Sequence, residues 1–553
     1  MSASFRPSLT RRRLLAAAGL AGPAGLLSGC SGSRSATTGP SGKAALPERL
    51  SKRQDVIIAL DGSLMEAPFD PIEGWGHRGV NPFHSTLMVA NEKNEIVNDL
   101  AVGHTISDDR LTWTFTLRDD ATFTTGAKVT AHDVAFTYNK AKQVGKVEIP
   151  NFAEAVATSD RTVQLRLSAP SSFLPYTVAT VGIVAKDGYG PAVATKPVGS
   201  GPWKLATYIQ GQQVILERND SYYGPKAKFA KVTILMMAVD AGLAAAHAGK
   251  VDITCVYPNL SQQQIPGFGL VSLPTFDYRT ISMPCQQPGA WQVEGNPVGN
   301  AVTSDRDLRR ALATALNRRQ IVDQCLLGYG EVAFDAFDAF AWGIRKDTAG
   351  RKDGDVAKAT EMLDQAGWRL GPDKIRAKGD LKASFTLHYP PSDAGRQAIA
   401  EGFKEQMRQI GIQVNLDAQD FTSMAKRHRA NPIVLGGGEL TPYAVYEQLS
   451  SANIRKKGWS NIACYVNERV EQHLTAALGS PDSQTATQHW HDALWDGQTG
   501  GSILGDSPYL MCCYTRNNYL VREGLSLGEQ HVHPHDHFLH VIHNLHRWDV
   551  TGA

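Results

Sequence analysis

Residues 55–60 read Asp-Val-Ile-Ile-Ala-Leu, a short apolar run with the length of a strand buried on both faces. Further on, Leu111, Trp113, Phe115 and Leu117 alternate with Thr112, Thr114 and Thr116, and Val163, Leu165 and Leu167 alternate with Gln164 and Arg166. A period of two predicts half-buried strands, because successive side chains leave an extended backbone on opposite faces. Later the period lengthens. Leu308, Ala311, Leu312, Ala315 and Leu316 fall on one helical face, with Ser304 and Asp307 ahead of them at the spacing of a capping box. Ala359, Met362, Leu363 and Ala366 predict a second helix, stopped by Gly367. Ile399, Phe403, Met407 and Ile410 predict a third, ending at Gly411, after which Ile412 to Leu416 alternates as a strand. Helix, glycine, strand is the grammar of an α/β domain. The sequence carries no internal repeat.

The first thirty residues follow another pattern. A basic stretch, Thr10-Arg11-Arg12-Arg13, runs through Leu14-Leu15 into an apolar segment, Ala16 to Leu27, broken by glycines and Pro23. That segment is shorter than the ~20 apolar residues needed to cross a bilayer. Its order predicts a signal peptide. Arg11 and Arg12 before the two leucines look like a twin-arginine signal. Leu27-Ser28-Gly29-Cys30 resembles a lipobox, which implies that Cys30 is acylated and becomes the first residue of the mature chain. Residues 31–54, rich in Ser, Gly and Thr at the start, read as a flexible tether. The expected location is the outer face of the cell membrane, with the chain held there by its lipid.

The remaining chain is long enough for two or three domains. With 42% hydrophobic and 20% charged residues it is ordinary globular sequence, and a net charge of +2 argues against nucleic acid as a partner. Besides Cys30 there are six cysteines, at 255, 285, 325, 464, 512 and 513. Disulfides are allowed in an oxidising compartment, but free buried thiols are the expectation for most.

Three segments together resemble the family 5 extracellular solute-binding proteins, the group of dipeptide, oligopeptide and nickel binders that serve ABC importers. They are LTWTFTLRDDATFTTGAKVTAHDVAFTYNK from Leu111, PVGSGPWKLATYIQGQQVILERNDSYYGP from Pro197 and DLRRALATALNRRQIVDQCLLGYG from Asp307. Weaker matches lie at Lys358–Trp368 and Ile399–Leu416. The resemblance implies an α/β, two-lobe periplasmic-binding-protein type II fold, with an extra domain inserted in the first lobe and a hinged ligand cleft. On that pattern the first lobe comprises residues 55–79, 198–280 and 508–553, the inserted domain residues 80–197, and the second lobe residues 281–507. The motifs themselves read as scaffold; Gly199 and Gly201 beside Pro202, for example, read as a tight turn.

The resemblance also directs attention to LGGGELTPYAVYEQ, Leu435 to Gln448. Peptide-binding members carry an Asp before the Pro to anchor the ligand amine; here Thr441 precedes Pro442, and Glu439 either supplies the charge or is a solvated loop residue. Nickel-binding members carry a His after the Pro; here it is Tyr443. Tyr443 and Tyr446 either contact a ligand or pack in the core. In the glycine-rich loop near the start of the body, Trp75, His77 and Arg78 are further ligand candidates, the arginine for a carboxylate.

The tail is unusual. His531, His533, His535 and His537 recur at every second residue, so an extended chain places them on one face, and His540, His543 and His546 follow at a spacing of three. Neutral imidazoles clustered in this way are candidate ligands for zinc, nickel or copper. Either they hold a metal or they are structural, capping and hydrogen-bonding groups. The expected function is therefore capture of di- or oligopeptides for an ABC importer permease, by a monomer that requires no cofactor. Binding of nickel or another metal chelate is the alternative, and an exported metal-dependent enzyme using the tail a remote one. Neither an H-E-x-x-H metal motif nor a Walker phosphate loop is present in the sequence.

Overall fold

The computed structural model describes residues 50–61, 65–76, 79–289, 291–455 and 458–551. Arg11, Arg12, Cys30, His77 and Arg78 lie outside the described residues. No described helix is long and apolar enough to cross a membrane.

The spine is an eleven-stranded mixed sheet. Two long antiparallel strands, Phe268–Ser282 and Tyr509–Arg522, lie side by side in its middle. On one side follow Ile253–Val256, Asp55–Leu60, Lys231–Met236, Gln213–Arg218 and Trp203–Ile209; on the other, Ile433–Gly437, Ser384–Tyr389 and Gln413–Ala418; the eleventh, Gly330–Val332, pairs with Tyr509–Arg522 off this path. Each long strand serves two cores. Tyr519, Leu520 and Val521 pack with Val56, Ile58 and Ile234, whereas Leu510, Cys512 and Cys513 pack with Leu308, Leu363 and Phe403. Pairing runs from Phe268 opposite Arg522 to Pro274 opposite Arg516, then breaks and resumes at Tyr278 opposite Tyr514. Proline cannot donate to a ladder, and Thr275 to Asp277 leave the pairing at this point. Phe276 N instead donates to the His533 carbonyl at 2.7 Å, which docks the histidine-rich tail on the crossing.

The alternating segments are strands. Thr112–Leu117 buries Trp113, Phe115 and Leu117, and Thr162–Leu167 buries Val163, Leu165 and Leu167. Both belong to a separate four-stranded sheet, covered by the helix Ala131–Val144 and holding its own core. The periodic helices also form, at Arg306–Ala315, Val356–Gln365 and Ala394–Arg408. The first is not capped as its spacing suggests. Asp305, one residue after Ser304, is the N-cap, and its carboxylate accepts from the backbone N–H groups of Asp307 and Leu308 at 3.0 and 3.1 Å. The shorter acid also receives Trp368 Nε1 at 3.1 Å and Lys378 Nζ at 2.7 Å, contacts that tie this helix to the next layer.

All six described cysteines are free thiols. Burial pushes Cys255 and Cys512 up to about 12, so both stay protonated near neutral pH.

One buried acid yields a pH prediction. Burial, reinforced by the neighbouring Asp338 carboxylate, raises Asp335 from 3.8 to about 8. Its Oδ1 accepts from the Phe337 N–H at 3.1 Å. A folded-state value above the unfolded one means that the folded protein holds the extra proton between pH 3.8 and 8. The stabilisation is full below the lower value, declines by ~1.4 kcal/mol per pH unit across this window and is gone above the upper one. Asp335→Asn mimics the protonated acid. Its unfolding free energy relative to wild type is therefore expected to rise steadily from pH 5 to pH 8, measured by urea titration at each pH. A flat difference would mean that the acid ionises normally.

Candidate functional site

Two cavities lie against the segment Leu435–Gln448 and the tail; residues between Glu73 and Thr180 complete the wall of one, and Tyr278 and Tyr509 of the crossing strands line the other. The larger has a volume of about 550 Å³ and the smaller about 340 Å³. Glu439 and Glu447 line both.

The run Leu435-Gly436-Gly437-Gly438-Glu439 lines the smaller cavity. Its glycines answer to close neighbours. A Cβ on Gly436 meets the guanidinium groups of Arg396 and Arg279 at 2.7 and 2.8 Å, and one on Gly437 meets the Tyr278 hydroxyl at 2.5 Å. Gly438, at φ 150°, lies against the Phe276 carbonyl and could not carry a side chain without moving the crossing strand. The helix Tyr443–Leu449 follows, and the Thr441 hydroxyl accepts from the Tyr443 N–H at 3.2 Å where the helix begins.

Thr441 and Tyr443 line the larger cavity, together with Phe173 and Tyr176. Tyr443 stacks on Phe173 at 4.9 Å between ring centroids and on Tyr446 at 5.3 Å. Burial pushes the Tyr443 phenol well above its usual value, so it remains a neutral donor. Tyr446 packs against the core of Ala444, Val445 and Leu449 and lines neither cavity. Trp75 lines neither cavity, although its neighbour Gly74 lines the larger one: it stacks on Phe83 at 5.3 Å and meets Phe69 edge-on, packed against the first core.

The smaller cavity is lined by Arg396, Tyr278, Trp459, Tyr509, His535 and His537 beside the glycine run. Arg396 is buried, with Nε 3.3 Å from Asp393 Oδ2 and its guanidinium 5.3 Å from the centre of the Phe421 ring. Burial and the adjacent Arg279 cation bring it down to about 10. Sequence reading missed Arg396, because it stands in the first turn of an amphipathic helix, where an arginine ordinarily faces solvent. Glu447 was likewise hidden within a helix, and Phe173 within a loop of unremarked composition.

The tail histidines divide into groups. His535 Nδ1 lies 2.7 Å from the Asp277 carboxylate, and His537 packs edge-on against His535. His533 is buried, its Nε2 2.9 Å from Gln530 Oε1. His531 instead meets His540 and His543, the three offering ring nitrogens within 4.8 Å of one another on the wall of the larger cavity. The four alternating histidines thus do not share one face. Positive φ angles at His537 and Phe538, 50° and 72°, turn the chain back and bring His540 and His543 onto His531. The spacing of three at 540, 543 and 546 was the available signal. Burial lowers His531 and His537 to about 4, and takes His540 and His543 well below the usual histidine range, so these rings are neutral at pH 7.

The sequence also contains Gly524-Leu525-Ser526-Leu527-Gly528, the spelling of a hydrolase nucleophile turn. Its context is wrong for one: Ser526 ends a two-residue strand paired with Asp549–Val550, and its hydroxyl accepts from the Gly528 N–H at 3.3 Å.

Three comparisons place the chain. It is 28% identical over 434 residues to Protein XP55 of Streptomyces lividans, covering 74% of this chain and 76% of that protein. It is 26% identical over 541 residues to the oligopeptide-binding protein AppA of Bacillus subtilis, covering 91% and 94%. Its fold matches NikZ of Campylobacter jejuni in complex with Ni(L-His) at a TM-score of 0.75 and 20% identity, over 90% of this chain and 99% of that one. The mixed α/β fold is that of the type II periplasmic binding proteins. The family model for bacterial extracellular solute-binding proteins, family 5 Middle, matches residues 95–453, and the chain belongs to that family.

Proposed function

We propose that this chain is the extracytoplasmic substrate-binding protein of an ABC importer and that it captures a short peptide between its lobes. The carrying observation is the placement of charge in the cleft. Glu439 and Glu447 reach both cavities, whereas the buried Arg396 lines only the smaller one. A peptide is a zwitterion; its ammonium end is complemented by the glutamates and its carboxylate end by the guanidinium. A cavity of about 550 Å³ falls in the ~300–1,000 Å³ range of small-ligand sites. The aromatic wall of Phe173, Tyr176 and Tyr443 suits side chains of varied shape. The similarity to the oligopeptide-binding AppA along nearly the whole chain supports the same reading. Bending at the crossing strands then closes the lobes on the ligand.

The finer parts of the reading rest on sequence. Export through Arg11 and Arg12, anchoring at Cys30, a monomeric body and delivery to permease subunits complete it. A metal chelate is the second ligand class, favoured by the imidazoles of His531, His540 and His543 on the larger cavity's wall. Native mass spectrometry of the protein from its own cells is expected to reveal a co-purifying peptide mass. Arg396→Ala and Glu439→Gln are each expected to weaken peptide binding by roughly 10- to 150-fold, the equivalent of ~1.5–3 kcal/mol for a hydrogen bond to a charged group. Unchanged affinity in both variants, measured by calorimetry, would refute the zwitterion arrangement.

A further inference from the structure

We propose that His531, His540 and His543 form a divalent transition-metal site, taking copper, nickel or zinc, with its open side on the larger cavity. The site deepens the chelate reading and does not depend on the peptide one.

The argument is one of tautomers. A neutral imidazole has one N–H and one lone pair, and the partner of one nitrogen fixes the role of the other. His531 Nδ1 lies 3.2 Å from the Asn91 carbonyl oxygen and His543 Nδ1 2.8 Å from the His540 carbonyl oxygen. A carbonyl only accepts, so both Nδ1 atoms carry the proton and both Nε2 atoms present lone pairs. His540 Nδ1 lies 3.3 Å from Asp536 Oδ2, with both side chains almost wholly buried. That pair is not aligned as a hydrogen bond, and His540 Nδ1 has no hydrogen-bond partner, so the role of this ring is set at its other nitrogen. His540 Nε2 lies 2.5 Å from His531 Nε2 and donates its N–H to the His531 lone pair. A cation taking the place of that proton bonds both nitrogens, and the proton moves to His540 Nδ1, which faces Asp536.

The geometry is close to what a metal needs. Metal–nitrogen bonds of ~2.0–2.1 Å in a tetrahedral site set nitrogens ~3.3 Å apart, so the His531 and His540 rings need open by under ~1 Å. Oxygen acceptors behind ligating imidazoles, a carboxylate and backbone carbonyls here, are the usual outer partners of a histidine metal site. Three imidazoles leave a coordination position, and the cavity they line also holds Glu439 and Thr441. Neutral nitrogen ligands suit copper, nickel and zinc rather than magnesium or calcium. A second histidine group, His473 and His489 with Asp492, is half-buried and stands elsewhere on the chain, so the test must separate the two.

The full chain would be purified in mild detergent without an affinity tag, stripped with a chelator and titrated with nickel, copper or zinc salts by calorimetry at pH 7.5, with no organic solute present. One equivalent is expected to bind at micromolar affinity or tighter. His540→Ala and His543→Ala should each weaken it at least 100-fold and Asp536→Asn by 10- to 100-fold, whereas His473→Ala with His489→Ala should leave it intact. Absence of binding, retention in the His540 and His543 variants, or loss only in the His473 and His489 variant would overturn the proposal. The copper-loaded wild type needs no variant to fold: its electron paramagnetic resonance spectrum should show superhyperfine coupling to three imidazole nitrogens, and coupling to one or none would also overturn it. Failure on any of these counts leaves peptide capture standing, because that is judged by the co-purifying organic mass and the Arg396 and Glu439 variants.

Discussion

Asp277→Ala is expected to destabilise the protein by about 3–5 kcal/mol, the usual cost of breaking a buried ion pair by removing one partner. Asp277 stands at the break in the crossing strands and is buried. Burial disfavours its charge, but Arg279 and His535 outweigh that and hold the carboxylate well below the usual range. Arg279 donates to it directly, His535 Nδ1 is 2.7 Å away and the Thr515 hydroxyl 3.3 Å away. Without the carboxylate, the Arg279 cation remains buried beside the Arg396 cation, and the tail loses one of its ties to the crossing. Urea unfolding at pH 7 measures the loss; a change under about 1 kcal/mol would show that water reaches the freed arginine. The sign with pH follows from the depressed value. The stabilisation is present above pH 3.8 and is lost as pH falls further, so the deficit of the variant should narrow only below pH 3.8.

Gly199→Ala is expected to cost about 3 kcal/mol, at the upper end of overpacking penalties. A Cβ there would lie 2.1 Å from the Phe83 carbonyl oxygen, and one on Gly201 2.6 Å from the Pro82 carbonyl oxygen. These are backbone atoms held by a ladder: Gly201 N donates to Phe83 O at 2.9 Å and Trp203 N to Pro82 O at 3.1 Å. Nothing flexible can yield. Gly103→Ala is the control, since a Cβ there has no neighbour within 4 Å, and should change stability by no more than about 0.5 kcal/mol. Equal thermal unfolding temperatures for the two variants would contradict the close-packing account.

That case shows what a motif can and cannot say. The spelling Pro197-Val-Gly-Ser-Gly-Pro reads as a turn, yet the glycines are needed because another stretch of chain, Pro82–Phe83, passes against them. The same holds for Gly436 and Gly437, whose neighbours Arg396, Arg279 and Tyr278 come from two other segments. Glycine is legible as a letter; the atom it makes room for is not.

Local order was largely written in the sequence. Alternation placed the strands Thr112–Leu117 and Thr162–Leu167 with their buried faces, and helical spacing placed Arg306–Ala315 and Ala394–Arg408, because these patterns are set by backbone geometry within a few residues. Motif order carried the family. The cleft was only half legible. Glu439, Thr441 and Tyr443 could be named from one run, but Arg396 and Phe173 reach the cavities through packing of segments far apart in sequence. Trp75, equally aromatic and glycine-flanked, packs in the core instead. In the tail, sequence marked the imidazoles but not their partners. Two residues in left-handed conformation, His537 and Phe538, reverse the chain so that His531 meets His540 and His543 rather than His535. Periodicity assigns side chains to faces while the backbone stays regular; where it turns, only the contacts of the folded chain decide which groups meet.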